Sequence, residues 1–103
     1  FTSAEDALVS FQQQLRRLPE IWYWYGEEAQ ATACPISGTV RFRPTAAGTA
    51  FAFDDCAFTR GVAVTGMGAE AGDRFTIRGR LAGRWRGAFR FAHEARTVDL
   101  TWS

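Results

Sequence analysis

The chain has no lysine, a single histidine and only two cysteines among its 103 residues. Each scarcity removes a class of chemistry. Without lysine there is no Gly-x-x-x-x-Gly-Lys phosphate loop. Cys34 and Cys56 stand 22 positions apart, which fits no zinc-ligand spacing, and one histidine does not complete such a set. None of Ser3, Ser10, Ser37 and Ser103 sits in a Gly-x-Ser-x-Gly elbow. No apolar run approaches the roughly 20 residues of a membrane span. Net charge is only +1, so bulk charge names no partner. There is no low-complexity segment, exact internal repeat or visible signal peptide. The chain starts at Phe1 without methionine, which reads as a processed or excised start.

What is present is apolar and aromatic. Hydrophobic residues make up 47% of the chain and aromatics 15%, ample for the core of one domain spanning 1–103. All 12 basic residues are arginine, a bias that suits a planar multi-donor contact or simply a GC-rich bacterial genome. Two cysteines with no other thiol partner suit a Cys34–Cys56 disulfide, worth about 3 kcal/mol in the chain-entropy account. With the absent initiator, this points to an extracytoplasmic protein, periplasmic or secreted.

Residues 3–18 read as an amphipathic helix. Ser3 with Asp6, or Thr2 with Glu5, has capping-box spacing. Ala4, Leu8, Phe11, Leu15 and Leu18 form one stripe, with Gln12, Gln13, Arg16 and Arg17 outside it. Pro19 ends the helix, because the residue before proline avoids the helical region. A connector follows over 21–33, dominated by the block Trp22-Tyr23-Trp24-Tyr25. Its rings are candidates for stacking on a sugar, anchoring an interface or sealing the helix against a sheet.

From 34 to 103 the pattern is that of antiparallel strands. Ile36, Val40 and Phe42 share one parity, and Arg41 and Arg43 the other. Phe51 and Phe53 point inward, then Cys56 and Phe58 take over, a slip at Asp54-Asp55 of the kind a β-bulge makes. A three-residue loop Thr59-Arg60-Gly61 pairs Phe58 with Val62 and Cys56 with Val64, and Gly66–Gly72 reads as a glycine-rich turn. In the next hairpin Phe75, Ile77, Leu81, Trp85, Phe89 and Phe91 alternate with arginine or small residues. A three-residue loop Ala82-Gly83-Arg84 sets Leu81 opposite Trp85, Gly79 opposite Gly87 and Ile77 opposite Phe89. The last strand, 97–102, aligns Trp102 with Gly87, so that its ring covers the glycine pair.

These readings define an α+β fold, an N-terminal helix packed on a curved antiparallel β-meander of about six strands. A partly closed small β-barrel with a helix is the alternative.

The chemistry-bearing residues are few. His93-Glu94 falls in a hairpin loop, and neighbours on extended chain point apart, so it reads as an ordinary loop histidine. Asp54-Asp55 offers too few oxygens for calcium and reads as an arginine or turn partner. Gly66-Met67-Gly68 precedes no helix. No nucleophile, base and stabiliser come together, so no enzyme, cofactor or metal is expected. The strongest candidate is the opposite parity of the hairpin: Arg74, Arg78, Arg80, Arg86 and Arg90 share one face, with Arg80 opposite Arg86. Like charges directly opposed cost stability. The face is a surface for an acidic protein or anionic group, or a solvated outer face. Nucleic acid is disfavoured, because stacking rings alternate to the other side.

The expectation is therefore a non-catalytic, extracytoplasmic binding or structural subunit of a bacterial envelope or secreted assembly. It would contact a protein partner or another copy through the arginine face, or an anionic surface. Alternatives are a small carrier with an apolar pocket between helix and sheet, and a carbohydrate-binding module built on the aromatic block.

Overall fold

Ser3 caps helix α1 (Ala4–Leu15): its Oγ accepts a hydrogen bond from the Asp6 amide at 3.1 Å, the capping-box contact. The structure, a computed structural model, describes residues 3–18, 21 and 29–102. The aromatic block Trp22–Tyr25 lies outside the described residues. The helix ends at Leu15, three residues before the expected stop. Arg16 closes it with its amide on Gln12 O, and Leu18 turns back onto Leu15 O. Ala4, Leu8, Phe11 and Leu15 are buried as the stripe requires. Gln12, expected outside it, is also buried, at 2% exposure.

Seven strands follow in simple meander order: β1 (Gln30–Ala33), β2 (Ser37–Pro44), β3 (Gly48–Thr59), β4 (Val62–Ala71), β5 (Arg74–Gly83), β6 (Gly87–Glu94) and β7 (Thr97–Trp102). All neighbours are antiparallel, and β1 and β7 are the open edges, so the sheet is not a closed barrel. The expected six strands become seven because β1 forms inside what reads as connector. Its Gln-Ala-Thr-Ala sequence carries no apolar alternation, and it is held by pairing with Thr39–Phe42 of β2.

One sheet face and the helix enclose the core. Val40 and Phe42, Phe51, Phe53, Cys56 and Phe58, Val62 and Val64, Phe75, Ile77 and Leu81, and Phe89 and Phe91 are buried at period two. Phe11 meets Phe53 and Phe58 edge-on, with ring centroids 5.2 and 5.0 Å apart. Ile36 departs from its expected inward place: it precedes β2 and is half exposed.

The bulge at Asp54-Asp55 is present. Register breaks between Phe53 and Cys56, Asp55 has φ +49°, and its amide donates to Thr65 Oγ1 at 3.0 Å. The disulfide Cys34–Cys56, with Cα atoms 5.5 Å apart, ties the chain after β1 to β3 beyond that bulge.

Four sequence expectations are corrected. The β3–β4 loop is Arg60-Gly61 alone: Thr59 itself pairs with Val62, and Phe58 does not, because the register shifts again between Cys56 and Thr59. Gly66–Gly72 is not a turn: β4 runs through to Ala71, and Gly66 and Gly68 face Phe53 and Phe51 across the ladder. A Cβ at Gly68 would lie 3.1 Å from the Phe53 ring, so the glycines give the phenylalanines room. The β5–β6 register is displaced by two: Leu81 pairs with Gly87, Gly79 with Phe89 and Ile77 with Phe91. The strand reaches Gly83 because β4 pairs with it there, and the Arg84 amide bonds Gly61 O at 2.8 Å. The loop therefore shifts to Arg84–Arg86. The β6–β7 register also moves by two, because Ala95 (φ +50°) and Arg96 make a tight turn. Trp102 then stands opposite Phe89, and its ring still lies over Gly87 at ordinary contact distance. Gly79 instead opposes Gly66.

Candidate functional site: the outer face of the sheet

The parity that buries phenylalanine on one side carries arginine on the other. Arg74, Arg78 and Arg80 on β5 and Arg90 on β6 lie on the outer face, and all four are exposed. Arg86 is not with them in the ladder: the register shift leaves it in the loop, exposed, and Arg80 pairs with Ala88. The directly opposed like-charged pair is Arg78 and Arg90. None of the face's arginines forms an ion pair among the described residues, where the recorded salt bridge is Arg16–Glu70 at 2.5 Å. That bridge fastens the end of the helix to β4.

Following the ladder sideways extends the face beyond the hairpin. One row reads Arg41, Ala52, Met67, Arg78, Arg90 and Thr101 from β2 to β7. The next reads Arg43, Ala50, Ala69, Thr76, Ala92 and Asp99. Arg74, Thr76, Arg78, Arg90, Asp99 and Thr101 line an open groove of about 470 Å³, and Met67 stands at its other wall. A smaller hollow of about 170 Å³ lies on the far side of Met67, between Arg41, Arg43, Ala50 and Ala52. Met67 is 65% exposed, the most exposed large apolar side chain among the described residues. The arginines were legible in the sequence by parity. Met67 and the alanines were not singled out, although their parity is the same. The signal was the run of small residues where an outer face ordinarily carries polar ones.

The other candidates separate. His93 lies in β6, not in a loop, and has core-side parity. Its Nδ1 is 2.6 Å from Gln12 Oε1. An amide oxygen accepts only, so the ring donates from Nδ1. This joins helix to sheet. Asp54 and Asp55 are exposed at the bulge. Among the described residues no group of three or more His, Cys, Asp or Glu side chains is placed to hold a metal ion, and no helix is long and apolar enough to cross a membrane.

Comparison with protein-family models, with curated proteins and with solved structures finds no match to this chain.

Proposed function

We propose that this chain is a non-catalytic binding subunit, working outside the cytoplasm, that docks an acidic partner protein on the outer face of its sheet. The observation that carries the reading is the opposed, unpaired Arg78–Arg90 pair at the centre of an arginine-walled groove. A guanidinium presents a planar fork of donors to a carboxylate, and two side by side offer a bidentate site for each of two acids. Holding like charges opposite one another costs a little stability, a cost that an acidic partner removes. The disulfide supports a location where thiols are oxidised.

The carrier reading has less behind it. The void bounded by Ala7, Phe11, Phe58, Thr59 and Val62 has no room for a water molecule. The carbohydrate reading rests on Trp22 and Trp24, outside the described residues.

The test is fluorescence anisotropy of labelled poly-L-glutamate titrated with the protein at two salt concentrations. Binding should weaken steeply as salt rises, because exposed charges are screened beyond about 10 Å at 0.1 M. Arg78→Glu with Arg90→Glu should abolish it, with the circular dichroism spectrum unchanged. Absence of binding, or binding indifferent to the double reversal, overturns the reading.

A further inference from the structure

The outer face carries polar side chains at its two ends, Asp54 and Thr65 among them, but small apolar ones in its middle. Strand interiors disfavour alanine, yet Ala50, Ala52, Ala63, Ala69, Ala88 and Ala92 occupy outward positions of β3, β4 and β6. The middle of the face is the smallest part. Ala50 and Ala52 on β3 lie beside Ala69 and Met67 on β4, and arginine flanks them on both sides: Arg41 and Arg43 on β2, Arg74 and Arg78 on β5. Thr76 completes the β5 wall opposite Ala69.

The dimensions suit a particular occupant. β2 and β5 are three strand spacings apart, about 14 Å at roughly 4.8 Å each. An α-helix with its side chains is about 10–12 Å across. Arg74 to Arg80 spans about 20 Å of strand, the length of roughly thirteen helical residues. A floor of Cβ atoms lets another backbone approach closely. The unbranched, polarizable Met67 adapts to whatever ridge meets it. A bare polyanion would have no use for an exposed methionine on an alanine floor, and the described part of the face has no ring on which a base or sugar would stack.

Resting on the docking reading above, we infer that the outer face is a trough for an amphipathic helix of a partner protein. Small apolar residues of that helix lie on Ala50, Ala52, Met67 and Ala69, and acidic residues on its two flanks meet Arg41 and Arg43 on one side and Arg74, Arg78 and Arg90 on the other. This is the helix-in-groove mode of recognition, read as anchors at i, i+3, i+4 and i+7.

The test is selection of a random 16-residue peptide library on the immobilised, disulfide-intact protein, followed by binding measurements with the enriched peptides. The expected peptides repeat apolar residues at helical spacing with glutamate or aspartate on both sides, and gain helical circular dichroism when bound. Ala52→Phe, which fills the floor with a strong strand former, should weaken them at least tenfold and weaken poly-L-glutamate, which needs the arginines more than the floor, by less than threefold. Arg78→Glu with Arg90→Glu should abolish both. Acidic peptides without helical period, or peptides indifferent to Ala52→Phe, overturn the helix and leave the acidic-partner reading standing. Loss of poly-L-glutamate binding from the unaltered protein removes that reading as well. Sedimentation with phosphatidylglycerol vesicles that Arg78→Glu with Arg90→Glu abolishes and Ala52→Phe does not weaken, with no acidic helix selected, assigns the face to a membrane surface and overturns the inference.

Discussion

Gln12 and His93 meet at 2.6 Å between helix and sheet, the amide oxygen accepting from the ring Nδ1. The amide is almost wholly buried and the ring partly so. Such a pair costs little while both members are present and a good deal when one is removed, because the survivor keeps its desolvation without its hydrogen bond.

Gln12→Leu should therefore destabilise the fold by about 1–3 kcal/mol. Gln12→Leu combined with His93→Phe should recover most of that loss, since both partners become apolar together. Chemical denaturation of the two single variants and the double variant measures the coupling directly. Additive single effects would show that the contact does not fasten the helix.

Reduction of the Cys34–Cys56 bond, or replacement of both cysteines by serine, should cost about 3 kcal/mol, the chain-entropy value for a loop of this length. For a domain of this size that lowers the melting temperature by on the order of 15 °C. The loss should appear first at β1, an edge strand held by β2 alone and followed at once by Cys34. Hydrogen exchange at Gln30–Ala33, before and after reduction, checks this. Equal protection in both states would mean that β1 pairs without the clamp.

How much of this was legible in the sequence depends on which symmetry of the strand is asked for. Facing parity was legible nearly everywhere: Phe75, Ile77, Leu81, Phe89 and Phe91 are buried, and Arg74, Arg78, Arg80 and Arg90 lie on the opposite face, as alternation requires. Register was not. Both misplaced hairpins moved by two residues, a displacement that leaves every side chain on its own face. The first was decided at a distance, by the Arg84 amide bonded to Gly61, and the second by the turn itself, where alanine, a residue that gives no sign of a positive φ, adopts one at Ala95. β1 was illegible because its residues are not fully buried and it exists only as a partner for β2. The arginine half of the site was read from one hairpin. The alanine floor needed the neighbours β2 to β5 laid side by side, which is long-range information.

The opposed glycines Gly66 and Gly79 carry a third prediction, on close approach of two backbones. A Cβ at Gly79 would lie 2.1 Å from Thr65 O and 2.8 Å from the Gly66 Cα, atoms of the neighbouring backbone that cannot swing away. Gly79→Ala should accordingly cost several kcal/mol, on the order of the largest single-site effects. Gly72 is the control. It has φ +60°, and a methyl added there would meet nothing within 4 Å. Gly72→Asn, which tolerates that conformation, should therefore cost under about 1 kcal/mol. Thermal melts of the two variants separate crowding from conformational strain.

The Arg78–Arg90 pair gives the sharpest division between a binding face and a solvated one. If the face is merely wetted, removing one charge changes stability a little and nothing else. If it is a docking surface, stability and binding move in opposite directions. Arg78→Thr relieves a like-charge pair and places a good strand former on β5. It should therefore raise stability by a few tenths to about 1 kcal/mol at low salt, a gain that shrinks as salt screens the pair. The same substitution should weaken poly-L-glutamate binding several-fold, because a two-armed site becomes one-armed. Arg80→Thr, opposite Ala88 rather than another arginine, should show no salt-dependent gain in stability and no comparable loss of binding. Denaturation midpoints and anisotropy titrations on the two variants, each at two salt concentrations, decide it. A gain in stability at Arg78 without any loss of binding would reduce the pair to a surface blemish and leave the groove without its central contact.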